Sequence, residues 1–91
     1  MKTYTCHFGK GVSCTVQVAD TIPKKGESHI LGMRWSKKPK PSVIPSYVKW
    51  MHQINQQCAD ELNVRLLYIV KTTPTSWETW CYEPNGQPEK V

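Results

Sequence analysis

Between Tyr47 and Leu62 the apolar residues recur every three or four positions, at Tyr47, Met51, Ile54, Cys58 and Leu62, with Val48 and Ala59 beside them. Lys49, Gln53, Gln56, Gln57 and Asp60 fall on the opposite side. This spacing predicts one amphipathic helix from about Pro45 to Asn63, because only a 3.6-residue repeat gathers those positions into a stripe. Elsewhere the apolar residues alternate or run together, so the stripe must be buried on a sheet rather than on a second helix. Pro45 suits the first turn, where a missing N–H costs no hydrogen bond. The end charges run the other way: Lys49 lies toward the positive end of the helix dipole, and Asp60 and Glu61 lie toward the negative end. Each mismatch costs a few tenths of a kcal/mol, roughly, so tertiary packing has to hold this helix.

Upstream, Tyr4, Cys6 and Phe8 alternate with Thr3, Thr5 and His7, and Val12, Cys14, Val16 and Val18 alternate with Ser13, Thr15 and Gln17. A period of two predicts strands with one buried face. Gly9-Lys10-Gly11 between them predicts a hairpin, since glycine tolerates the positive φ of tight turns. A three-residue loop sets Phe8 opposite Val12, Cys6 opposite Cys14 and Tyr4 opposite Val16, which puts all the apolar residues on one side; a two-residue loop breaks that match. After a turn-rich stretch from Asp20 to Gly26, His29 to Trp35 reads as a third strand with Leu31, Met33 and Trp35 on one face. Lys37-Lys38-Pro39-Lys40-Pro41 stops it and forms a solvated, semi-rigid arm.

Beyond the helix, Val64 to Lys71 is apolar on both faces, as for a strand inside a sheet. Thr72-Thr73-Pro74-Thr75 turns the chain into a last strand, Ser76 to Tyr82, with Trp77 and Trp80 on opposite sides, and residues 84–91 read as a flexible tail. The expected fold is a small two-layer α+β domain over 1–83, ordered β-β-β-α-β-β, with a mainly antiparallel sheet and the helix on one face. Ninety-one residues suit one modest core. Met1-Lys2-Thr3-Tyr4-Thr5 has no apolar run behind its lysine, and no stretch approaches the roughly 20 apolar residues of a membrane span. A soluble cytoplasmic protein is therefore expected, with no membrane contact.

The cysteines Cys6, Cys14, Cys58 and Cys81 include no C-x-x-C spacing, and the first three fall on expected core faces. Reduced core thiols are the simplest reading. A Cys6–Cys14 cross-strand disulfide and a metal site built on those two residues are the alternatives. Cys6 and His7 point to opposite faces of a strand and cannot act as nucleophile and base. His29 and His52 lack a carboxylate at an orienting spacing, and neither a nucleophile elbow nor a phosphate-binding glycine loop is present. The expectation is a non-catalytic protein without cofactor or bound metal.

Charge is the strongest functional signal. Lys24, Lys25, Arg34, Lys37, Lys38 and Lys40 hold half of the twelve basic residues, with Trp35 among them and Glu27 the one acid between them. Their net +5 equals that of the whole chain. Such a segment draws polyanions, by counterion release on a phosphate backbone and by stacking of Trp35 or Arg34 on an unpaired base. The expected site is these six cations plus Trp35, and the expected partner is nucleic acid or an acidic protein surface. Against it stands a solvated loop whose charge serves solubility.

A second class is a protein-binding module. Trp50 lies at the edge of the helix's apolar arc, and Trp77 and Trp80 cannot both face one core, so these three are candidate interface anchors. The stretch Trp77-Glu78-Thr79-Trp80-Cys81-Tyr82-Glu83-Pro84 resembles small accessory proteins carried by prophages and plasmids. That resemblance implies a protein acting on a host factor and transfers no functional residues.

Overall fold

The period change at the centre of the chain coincides with a division of the fold. A computed structural model describes residues 1–73 and 75–91, and they form two compact units, 1–40 and 41–91. The chain is α+β in the expected element order, with an additional short strand at the end. In place of one five-stranded sheet there are two antiparallel sheets of three strands, one per unit.

The first unit is a meander of β1 (Lys2–Gly9), β2 (Val12–Val18) and β3 (Ile30–Trp35), with β2 in the middle. The register carries Tyr4 opposite Val16 and Cys6 opposite Cys14, as the apolar alternation requires, but Gly9 rather than Phe8 opposes Val12. The turn is two residues long, Lys10 and Gly11, both at positive φ. An extra residue at Phe8 and Gly9 makes a bulge, which absorbs the offset a two-residue turn would otherwise create. Val12, Cys14, Val16 and Val18 are buried, Tyr4, Cys6 and Phe8 are half-buried on the same face, and the intervening residues of β1 are exposed. The ring of Trp35, opposite Cys14, lies 5.7 Å from that of Phe8. Leu31 departs from expectation. A second bulge, where Ile30 opposes Val18 and Gly32 opposes Gln17, leaves Leu31 unpaired and 57% exposed.

The second unit begins with a turn of 3₁₀ helix, Pro41–Val43, followed by α1 (Ile44–Leu62), β4 (Leu66–Thr73), β5 (Ser76–Tyr82) and β6 (Glu89–Lys90). Pro45 sits in the first turn of α1. Asn63 ends the helix at φ 54°, with its N–H on Asp60 O and that of Val64 on Ala59 O, a left-handed cap that satisfies two terminal carbonyls. Ile44, Tyr47, Met51, Ile54, Asn55, Cys58 and Ala59 form the buried stripe and pack on the β4–β5 face that holds Leu66, Val70 and Tyr82. β4 is an edge strand, not an interior one, and Leu67 and Ile69 on its second face are exposed. Pro74, in the expected turn after β4, lies outside the described residues.

The stretch read as a flexible tail is a turn followed by β6, which pairs with Trp80 and Cys81. Two helix side chains hold that turn. Gln56 Nε2 donates to Glu83 O at 2.7 Å, and Asp60 Oδ1 accepts from Asn85 N–H at 2.6 Å and from Gln56 at 2.9 Å. Asp60, unfavourable to the helix dipole, is thus explained by a tertiary role that the helix pattern does not reveal.

A polar group lies inside this unit. His52 Nδ1 is 2.7 Å from the hydroxyl of Tyr82, and the imidazole rests against Trp80 with ring centroids 4.3 Å apart. Burial lowers the pKa of His52, with Glu78 pulling the other way. Burial likewise pushes the Tyr82 hydroxyl up to about 12, with the Asn55 side chain pulling the other way. A histidine held neutral in the fold stabilises it fully above its unfolded value of about 6.5 and loses that contribution as pH falls below it. The melting temperature is therefore expected to drop from pH 7.5 to pH 5, and to drop less in His52→Gln. An equal drop in both proteins would place the titrating group elsewhere. On the alkaline side, the raised Tyr82 value removes stability as pH climbs from about 10 toward 12.

Candidate functional site

The division at Lys40 sorts the charge. Residues 1–40 carry eight basic and two acidic side chains, net +6, and residues 41–91 carry four and five, net −1. The meander then divides the basic segment again. Lys24 and Lys25 lie in the β2–β3 connection, in a turn closed by Glu27 N–H on Lys24 O with Gly26 at φ 85°. Lys37, Lys38 and Lys40 leave the far end of β3. Six residues of strand separate the two groups by about 20 Å, more than twice the screening length of about 8 Å in physiological salt. The six cations expected to act together are therefore divided between the two ends of the sheet. Both acids of this unit, Asp20 and Glu27, lie at the Lys24 end, where Asp20 pairs with the Met1 ammonium.

The other end contains no acid of this unit, and it gains a cation that the linear sequence did not indicate. Ser36 continues the β3 ladder: its N–H donates to Ser13 O at 2.9 Å, and its Oγ accepts from Ser13 N–H and donates to Gly11 O, both at 2.8 Å. This latch ties the exit of β3 to the Lys10–Gly11 turn. Lys37 Nζ consequently lies over Gly11, 3.4 Å from where a Cβ would stand. Lys10, 27 residues away in sequence, thus belongs beside Lys37. The signal for it was available in the register, since extending the alternation of β2 against β3 by one step brings residue 36 to the hairpin turn.

Arg34 opposes Thr15 on the outer face, where Thr15 Oγ1 is 3.0 Å from Thr5 Oγ1. Lys10, Arg34, Lys37, Lys38 and Lys40 are all exposed, and among the described residues none of them is in an ion pair. Three of the four cations of the second unit differ: Arg65 pairs with Glu83, Lys90 pairs with Glu78, and Lys71 lies over the Trp77 ring. Trp35 does not join the outer face. It turns with Cys14 to the buried side, and its ring is engaged with Phe8.

Of the tryptophans considered as interface anchors, Trp50 and Trp80 are half-buried, and Trp80 covers His52. Trp77 is 59% exposed on the outer face of β4–β5, with Leu67 at 55% and Ile69 at 61%. A shallow groove of about 620 Å³ runs along α1, lined by Pro45, Val48, His52, Gln53, Gln56 and Pro88 among others. Its imidazole and its carboxylate, His52 and Asp60, stand about 12 Å apart along the helix. Cys6 and His7 face opposite sides of β1, one half-buried and the other exposed. Among the described residues no group of three His, Cys, Asp or Glu could hold a metal ion, and no helix is long and apolar enough to cross a membrane.

Compared with models of known protein families, with curated proteins and with solved structures, the chain matches none.

Proposed function

We propose that this protein is a non-catalytic module that binds nucleic acid through Lys10, Arg34, Lys37, Lys38 and Lys40. The observation that carries the reading is five exposed cations at one end of a small sheet, with no ion pair to them among the described residues and no acid of their unit beside them. Unpaired ammonium and guanidinium groups meet a phosphate without first breaking an internal contact, and each phosphate neutralised releases a condensed counterion. Lys24 and Lys25, beside both acids, contribute only general attraction.

The outer face around Arg34 offers threonines and the imidazole of His7 but no tryptophan, tyrosine or phenylalanine ring, so binding runs mainly through the backbone rather than through base stacking. Duplex and single-stranded DNA of equal length are therefore expected to bind within about tenfold of each other at low salt, because both present phosphates and neither is stacked on. A strong preference for single strands, abolished by Trp35→Ala in a protein that still folds, would contradict this and restore Trp35 as a stacking residue.

A second reading rests on Leu67, Ile69 and Trp77, three large apolar side chains exposed together on one sheet face. It makes the protein an inhibitor or adaptor of mobile-element type that occludes a site on a host protein. A stoichiometric partner retained after nuclease treatment and lost with Trp77→Glu would support it; recovery that disappears with nuclease supports the nucleic-acid reading.

A further inference from the structure

The hairpin sets two free thiols directly across from each other, Cys6 on β1 and Cys14 on β2. Facing residues of an antiparallel pair have Cα atoms about 4.5 or 5.5 Å apart, depending on their place in the ladder. Both spacings fall within the roughly 4.4 to 6.8 Å that a disulfide spans. Neighbouring antiparallel strands also place both side chains on one face, so the bridge requires no change of register. The thiols differ in access: Cys6 is half-buried rather than the core residue its position suggested, and Cys14 is fully buried. The unit contains no other cysteine.

We propose that Cys6 and Cys14 are a reversible thiol–disulfide pair, oxidised by a low-molecular-weight disulfide such as glutathione disulfide. Cys6 reacts first because reagent reaches it. Its thiolate attacks one sulfur of glutathione disulfide, the S–S bond breaks, and one glutathione leaves as a thiolate that takes up a proton. Cys14 then loses its proton and attacks Cys6 Sγ in the mixed disulfide, forming the Cys6–Cys14 bond and expelling the second glutathione. Two protein thiols are oxidised and one glutathione disulfide is reduced to two thiols, so atoms and electrons balance. Burial, together with the nearby Cys6 thiol, pushes Cys14 up to about 11, which makes the second step slow. Cys58 and Cys81 are buried in the other unit, and Cys81 Sγ accepts from Arg65 Nε at 3.2 Å.

The test is native incubation of the full chain with glutathione disulfide, followed by intact mass measurement and peptide mapping. The expected product is lighter than the starting protein by about 2 Da, carries a Cys6–Cys14 linked peptide and reverts with dithiothreitol. Closing the short hairpin loop also raises the melting temperature by at least about 5 °C. Cys14→Ala is expected to stop at a glutathione adduct on Cys6, and Cys6→Ser to remain unmodified until denatured. A wild-type protein that stops at the mixed disulfide, stays unmodified, or links any other pair would overturn the proposal. The wild-type peptide map decides this even where a variant fails to fold.

Discussion

Ile54→Ala lowers the unfolding free energy by about 2 to 4 kcal/mol, whereas Gln53→Ala, one position away, changes it by less than about 0.5. The contrast follows from the helix period. Ile54 is almost fully buried in the stripe that packs on β4 and β5, while Gln53 is exposed. Truncating the isoleucine removes apolar contact and leaves a cavity between the helix and the sheet that the surroundings fill only in part. A chain of this size has of order 5 to 10 kcal/mol of stability, so the loss is a large fraction of it. Its expected mark is a fall in melting temperature of about 10 to 25 °C. The helix has no side-chain cap at its N-terminus, no acid in its first turn and no base in its last. Without local support of that kind, its stability depends on the buried stripe. Equal melting temperatures for the two variants would mean that the stripe faces elsewhere.

The helix and the hairpin register were legible because both rest on periodicity, which backbone geometry translates directly into faces. The limits appear where one residue disturbs the period. Phe8 and Leu31 sit at bulges, and neither bulge is marked by a glycine or proline at the displaced residue itself. Apolar Leu67 and Ile69 make β4 read as an interior strand, but the apolar content of a strand does not say which edges are occupied. The terminal strand β6 was unreadable for a different reason: Glu89 and Lys90 have no β pattern, and Gln56 and Asp60 of the helix hold the preceding turn from a distance. The candidate site was legible in its residue types and not in its grouping. Counting charges along the chain joined Lys24 to Lys40, whereas the strand between them separates the two ends by more than electrostatic reach in salt. The latch at Ser36, made of three hydrogen bonds with no motif, recruits Lys10 in their place.

The largest functional effect is expected at that latch. Each phosphate contact adds about 0.7 to 0.9 to the slope of log K against log salt, so a face of five cations gives a slope of roughly −3 to −4.5 if most of them engage. Replacing Lys10, Lys37 and Lys38 together with glutamine removes the centre of the cluster and is expected to flatten the slope by about two to three units. All three side chains are exposed and, among the described residues, in no ion pair, so stability stays within about 0.5 kcal/mol. Lys24→Gln with Lys25→Gln removes two charges from the same linear segment, at the end that holds Asp20 and Glu27, and is expected to change the slope by less than about one unit. The decisive measurement is a salt titration of duplex DNA binding by the wild type and these two variants. The result expected is a steep wild-type slope, flattened by the Lys10, Lys37 and Lys38 replacements and nearly unchanged by the Lys24 and Lys25 pair. No salt-dependent binding by the wild type, or equal flattening per charge in both variants, would contradict it.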